Sequence, residues 1–191
     1  MKTSPVLLVV ALVVGLTGYR TVSGSVPGNC CTDTSRKPVA ILTVTVAKPM
    51  TILTIRDTAA SAVDISRVLA RNYGELFTFI HQKGLKPGKV TAIYPSYQPA
   101  FAVVEAAIEI DSIPGQVTGR IKIDKIVGGD VVVVHYQGPY EQIRIAYTAI
   151  EKWLKREQRE VRGSPFEVYL NDAVMVRDPF ELRTDVCQLI K

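Results

Sequence analysis

Several things are scarce in this chain of 191 residues, and each scarcity excludes a class. Three cysteines are too few for a disulfide scaffold of this length. They fall as the adjacent pair Cys30 and Cys31 and as Cys187, with no Cys-x-x-Cys spacing and no Cys–His cluster of the kind that holds zinc. Adjacent cysteines are poorly placed to bridge each other, because the small ring strains the peptide bond between them. Thirteen glycines and eleven prolines exclude collagen-like and low-complexity chains. Charged residues are only 21% against 47% hydrophobic, so the chain has ample apolar surface to bury and is not a disordered polymer. No phosphate-binding loop, no Ser-His-Asp grouping and no metal motif is present, so no cofactor is implied.

Charge of one sign is also scarcer than the net value of +5 suggests. Residues 1–37 carry Lys2, Arg20, Arg36 and Lys37 against Asp33, which leaves only +2 for the remaining 154 residues. The body lacks a footprint for phosphate backbones, and no nucleic-acid partner is expected. The basic run at Lys152–Arg162 is mixed with Glu and reads as a solvated helix end.

Residues 3–19 are uncharged, with the apolar part running from Val6 to Leu16, Lys2 before it and Arg20 after it. Small residues follow at 22–25. A basic start, a short apolar stretch and a small-residue exit are the order of a secretory signal. As a helix, 17 residues span roughly 25 Å, short of the ~30 Å hydrocarbon core but able to cross with slight thinning. Residues 1–24 are therefore expected to be a signal peptide or an N-terminal membrane anchor, so that the protein is membrane-anchored or secreted. Residues 25–37, polar and irregular, read as a linker.

From residue 38 the pattern is regular. β-Branched runs at Val39–Val46 and Met50–Arg56 read as strands. Ser61 and Asp64 have capping-box spacing ahead of a helix whose apolar face is Ile65, Leu69, Tyr73, Leu76 and Ile80. Gly84 ends it, and strands follow at Lys89–Tyr94 and Phe101–Ile110. The order then returns. Strands at Arg120–Ile126 and Asp130–Tyr136 precede a helix opened by Gly138-Pro139, with Ile143, Tyr147, Ile150 and Leu154 as its stripe. Strands at Pro165–Leu170 and Glu181–Ile190 close the chain. Tyr73, Leu76 and Ile80 align with Tyr147, Ile150 and Leu154 at an offset of 74, and Tyr94 aligns with Tyr169 at 75. Such self-similarity marks a structural repeat. The expected fold is α+β, with tandem pseudo-symmetric halves at 38–112 and 117–191. They form a curved antiparallel sheet with two helices on one face and a ligand cleft on the other.

The second half resembles a known family. The run His135-x-Gln137-Gly138-Pro139-Tyr140, the helix with Ala146-Tyr147 and Trp153-Leu154, the strand Pro165-x-Glu167-x-Tyr169 and the closing Glu181-Leu182-x-Thr184 resemble the GyrI-like small-molecule-binding domain, also called the AraC-type effector-binding domain. The resemblance covers residues 38–191 and is looser in the first half. It implies a duplicated strand–helix–strand–strand fold. It also implies a central cleft, lined by an acidic residue and aromatics, for diverse small molecules that are often cationic or aromatic. Many members follow a DNA-binding helix-turn-helix region; here an apolar segment stands in that place.

Glu167 is the leading candidate residue. It sits mid-strand between Phe166 and Val168, where a charge is costly without a partner, and its repeat equivalent is Ala92. In an aromatic cleft its pKa is expected to rise, and it can hold a cation or move a proton. Tyr147, Trp153, Tyr169, Tyr94 and Tyr73 form the candidate aromatic wall, since aromatic faces attract flat or cationic ligands; Tyr147 and Trp153 read equally well as core. Glu105 and Glu109, four apart on one strand, are expected on one exposed face. A non-enzymatic binding module is the first reading. The resemblance to GyrI-like relatives implies the second, a hydrolase of reactive cyclopropane-bearing compounds with Glu167 as catalytic general acid/base. A haem or tetrapyrrole carrier, after the SOUL haem-binding family of the same duplicated shape, is the third, with only His81 and His135 able to ligate.

Overall fold

The computed structural model describes residues 36–98 and 101–191. Residues 1–24, Cys30 and Cys31 lie outside the described residues. Ten regular elements follow in the order β1 (Val39–Ala47), β2 (Met50–Ala59), α1 (Ala62–Gln82), β3 (Pro87–Gln98), β4 (Phe101–Ile110), β5 (Lys122–Ile126), β6 (Gly129–Gln137), α2 (Arg144–Glu157), β7 (Phe166–Tyr169) and β8 (Arg183–Leu189). The expected strand, strand, helix, strand, strand unit thus occurs twice.

All strands join one antiparallel sheet in the order β1-β6-β8-β7-β3-β4-β2-β5. Reversing this order and exchanging each strand for its repeat counterpart returns the same order, so the sheet has an internal two-fold. The first strand of each half pairs in the other half: β1 adds to β6, and β5 adds to β2. The halves are interlocked rather than merely side by side.

Connectivity forces the sheet to curl. β1 and β2 are six strand spacings apart, about 29 Å in a flat sheet. Yet only Lys48 and Pro49 link them, and three Cα steps reach at most about 11 Å. β5 and β6 repeat the situation through Val127 and Gly128. The two links pack together, since a Cβ on Gly128 would lie 2.7 Å from the Ala47 carbonyl and 2.9 Å from Pro49 Cδ.

Three apolar clusters result. One lies beneath α1 and includes Leu53, Ile55, Leu76, Val104 and Ile108. A second lies beneath α2 and includes Val132, Val134, Tyr136, Ile150 and Val186. The third fills the curl on the face without helices, with Ile52, Ala107, Val131, Val133, Phe166, Val168 and Leu189. The four consecutive valines 131–134 are buried on both faces because each face meets its own cluster.

Three local expectations are corrected. Ser61 does not cap a backbone N–H of α1; its hydroxyl donates instead to Asp64 Oδ2 at 2.7 Å, so the capping-box pair satisfies itself. Gly138-Pro139 opens a 3-10 turn at Tyr140–Gln142, and α2 begins only at Arg144. Glu105 is not exposed. It is buried on the face without helices, where Arg56 donates twice to Oε2, at 2.9 and 3.0 Å, and Thr54 donates to Oε1 at 2.6 Å.

Candidate functional site

The seam between the halves is the ladder of β3 with β7, where Val90, Thr91, Ala92 and Ile93 face Tyr169, Val168, Glu167 and Phe166. The strand alternates, as its sequence requires. Phe166 and Val168 point into the curl, and Glu167 and Tyr169 point to the face that carries the helices. α1 packs on β2, β3 and β4, and α2 on β6, β1 and β8. The middle of the sheet between them is left to a group of side chains around Glu167.

Glu167 is 5% exposed and accepts three hydrogen bonds, all from phenols. Tyr147 of α2 donates to Oε1 at 2.7 Å. Tyr94 of β3 and Tyr169 of β7 each donate to Oε2 at 3.0 Å. Tyr73 of α1 is buried, donates to the Thr91 carbonyl at 2.7 Å and meets Tyr169 edge to face with centroids 6.5 Å apart. The four candidate tyrosines are thus two repeat-related pairs, three on the carboxylate and Tyr73 behind Tyr169.

The carboxylate lies on the helix-bearing face, not on the opposite face where the cleft was expected. The opposite face is occupied by the cluster inside the curl. The two short links close the sheet around that side, where residues near the links and residues of the central strand β7 share one cluster.

Burial lifts the Glu167 carboxyl above its ordinary value of 4.5, opposed by the three phenol hydrogen bonds. Burial also pushes Tyr73, Tyr94, Tyr147 and Tyr169 far up, with the charge of Glu167 adding to each. All four remain neutral donors throughout the physiological range. Among the described residues no Lys, Arg or His contacts Glu167, so the buried acid has donors but no counter-charge.

Tyr140 joins this group although the candidate wall did not include it. It stacks edge to face on Tyr169 with centroids 5.8 Å apart, and burial together with Glu167 raises its hydroxyl to about 12. Its one sequence signal was its place in the Gly138-Pro139-Tyr140 run. Trp153 is not brought to Glu167. It is half-buried and packs with Leu42, Ile143 and Leu154 against the cluster beneath α2. The two histidines sit apart. His81 ends α1, whereas His135 lies on the face without helices, held by Thr43 at 3.0 Å and Asp185 at 2.7 Å. They do not converge on one ligand. The shallow concavities along α2, one with Glu151, Leu154 and Lys155 and one with Gln142, Ile145 and Thr148, contain none of the candidate residues.

A duplicated half, an interlocked eight-stranded sheet and a lone acid among tyrosines at the seam can be compared with known proteins. The sequence profile of the GyrI-like small molecule binding domain matches residues 43–191. The chain belongs to this family. No curated protein matches it. Among solved structures, the GyrI-like fold recurs in the EcmrR C-terminal domain, which has a TM-score of 0.66, 19% identity and coverage of 80% of this chain and 98% of that one. EcmrR in its DNA complex, solved by cryo-electron microscopy, has a TM-score of 0.71 at 17% identity over 80% of this chain. The match spans only 57% of that longer protein. A hydrolase from Listeria innocua has a TM-score of 0.54 and 14% identity, over 82% of this chain and 92% of that one. At such identities the likeness is one of fold and gives the hydrolase reading of this GyrI-like chain no weight.

Proposed function

We propose that this GyrI-like domain binds a lipophilic, aromatic monocation over Glu167. The observation that carries the reading is a buried carboxylate with three phenol donors and, among the described residues, no basic neighbour. A buried charge is tolerated when it is paired, and the only pairing this site lacks is a positive one. A soft organic cation supplies it without the dehydration cost of a metal ion, and the flanking rings offer π-faces to its charge and apolar surface to its body. Tyr94, Tyr140, Tyr147 and Tyr169 are half-buried and cover the carboxylate, so a ligand reaches it by turning one or more rings aside. The pseudo-two-fold favours a compact, near-symmetric ligand. No cofactor takes part.

The same reading has residues 1–24 carry the domain to or across a membrane. The order Lys2, apolar Val6–Leu16, Arg20 and small residues at 22–25 supports it. Among the described residues no helix is long and apolar enough to cross a membrane.

Equilibrium dialysis against a panel of lipophilic cations and neutral aromatics of matched size tests the binding reading. Micromolar binding of cations, weakened at least tenfold in Glu167→Gln, is the expected result. Absence of binding, or binding that ignores the substitution, overturns it.

A further inference from the structure

The protons around Glu167 can be counted. Each phenol has one. If Glu167 is a carboxylate, Tyr147 satisfies Oε1, and Tyr94 and Tyr169 both crowd onto Oε2. That arrangement uses every donor and still leaves a full negative charge uncompensated. If Glu167 is a carboxylic acid, a second arrangement exists with the same heavy atoms. The hydroxyls of Tyr94 and Tyr169 each lie 3.0 Å from Oε2, so either can turn from donor to acceptor there. Oε2–H then donates to Tyr169, while Tyr94 still donates to Oε2 and Tyr147 to Oε1. All three contacts to the carboxyl group are kept and the net charge is zero.

Among the described residues, the groups facing Glu167 supply no counter-charge. From β7 comes Tyr169, from β3 Tyr94, from α1 Tyr73, from α2 Tyr147 and from the 3-10 turn Tyr140. Cys187 of β8 lies on the other face, with Asp185 and Lys89 beside it, and Asp172 lies in the loop after β7 beside Tyr140. Among the described residues, none of the groups that contact Glu167 is basic.

We propose that the monocation enters in exchange for a proton: the empty site holds Glu167 as the neutral acid among Tyr94, Tyr147 and Tyr169, and the arriving cation expels that proton to solvent. The step balances simply. The Oε2–H bond of Glu167 breaks, the proton passes to water or buffer, and the cation's single positive charge replaces it beside the carboxylate. The site is neutral before and after. Burial favours the neutral acid in the empty site, in keeping with this geometry. The repeat limits the exchange to one charge, because the counterpart position across the seam is Ala92 rather than a second acid.

This inference rests on the binding reading above, and its test separates the two. Isothermal titration calorimetry of the full-length protein with methyltriphenylphosphonium, in paired buffers of different ionisation enthalpy from pH 5 to 9, counts protons released per cation bound. Release approaching one at the acid end is expected. The dissociation constant should tighten up to tenfold per pH unit there and flatten above the carboxyl's own pKa. Triphenylphosphine oxide, a neutral molecule of similar shape, should bind without proton release. Infrared difference spectra should show a protonated-carboxyl band that the cation removes and that Glu167→Gln lacks. Cation binding with no proton release and a pH-independent constant over the whole range overturns the exchange and leaves the binding reading standing. No cation binding at any pH overturns both.

Discussion

Ala92 and Glu167 stand directly opposite each other in the ladder between β3 and β7, and each is the counterpart of the other in the internal repeat. Both conditions hold only at the pseudo-two-fold axis. The axis therefore passes through a pair that is symmetric in backbone and asymmetric in chemistry. Around it the tyrosines keep the symmetry, with Tyr94 matching Tyr169 and Tyr73 matching Tyr147. One half contributes the acid and the other leaves a methyl.

The first prediction concerns stability and pH. The folded-state pKa of Glu167 lies above its ordinary value of 4.5, so the folded protein binds the proton more tightly than the unfolded chain. This contribution is fully present below 4.5 and is lost as pH rises through the folded-state pKa. Thermal or urea unfolding of the ligand-free protein should show stability falling with pH in that window. Glu167→Gln, compared at each pH, should remove that part of the slope. Equal slopes in the two proteins contradict the buried acid.

The second concerns the phenol donors. Tyr147→Phe removes the shortest hydrogen bond to Glu167, at 2.7 Å, and keeps the ring. A hydrogen bond to a charged group contributes about 1.5–3 kcal/mol. The carboxyl pKa should rise further, because the anion loses a donor that holds it down. Cation affinity measured at neutral pH should fall about tenfold. A neutral aromatic should bind as before.

Trp153 supplies the third. It lies six residues beyond Tyr147 on α2, a rise of about 9 Å, and packs into the cluster beneath that helix. Trp153→Phe should lower stability by about 1 kcal/mol and leave cation affinity within about twofold. A tenfold loss of affinity would return Trp153 to the ligand wall.

The fourth tests the curl. A Cβ on Gly128 would fall 2.7 Å from the Ala47 carbonyl, where the two links meet. The clash is with backbone and cannot be relieved by a side-chain rotation. Gly128→Ala should lower stability by about 2 kcal/mol or more, read by urea unfolding. A neutral effect would mean that the two links are not pressed together.

The sequence disclosed the repeat because its tyrosines and helix stripes recur at nearly one offset. It disclosed Glu167 because a lone acid between Phe166 and Val168 breaks an apolar strand. It did not disclose the side of the sheet on which Glu167 works. That depends on sheet order, and the exchange of β1 and β5 between halves leaves no mark in local periodicity. The burial of Glu105 was hidden for the same reason: β4 alternates alike in a flat and in a curled sheet, and only the curl encloses its second face. Tyr140 has no tyrosine at the offset position in the first half, so the repeat could not flag it.

The most direct test of the account is the affinity ratio of methyltriphenylphosphonium to triphenylphosphine oxide, measured by calorimetry at pH 8 for the wild-type protein and for Glu167→Gln. The account predicts a preference for the cation of at least tenfold in the wild-type protein, about 1.4 kcal/mol, that collapses towards unity in the variant. An equal ratio in the two proteins would contradict it.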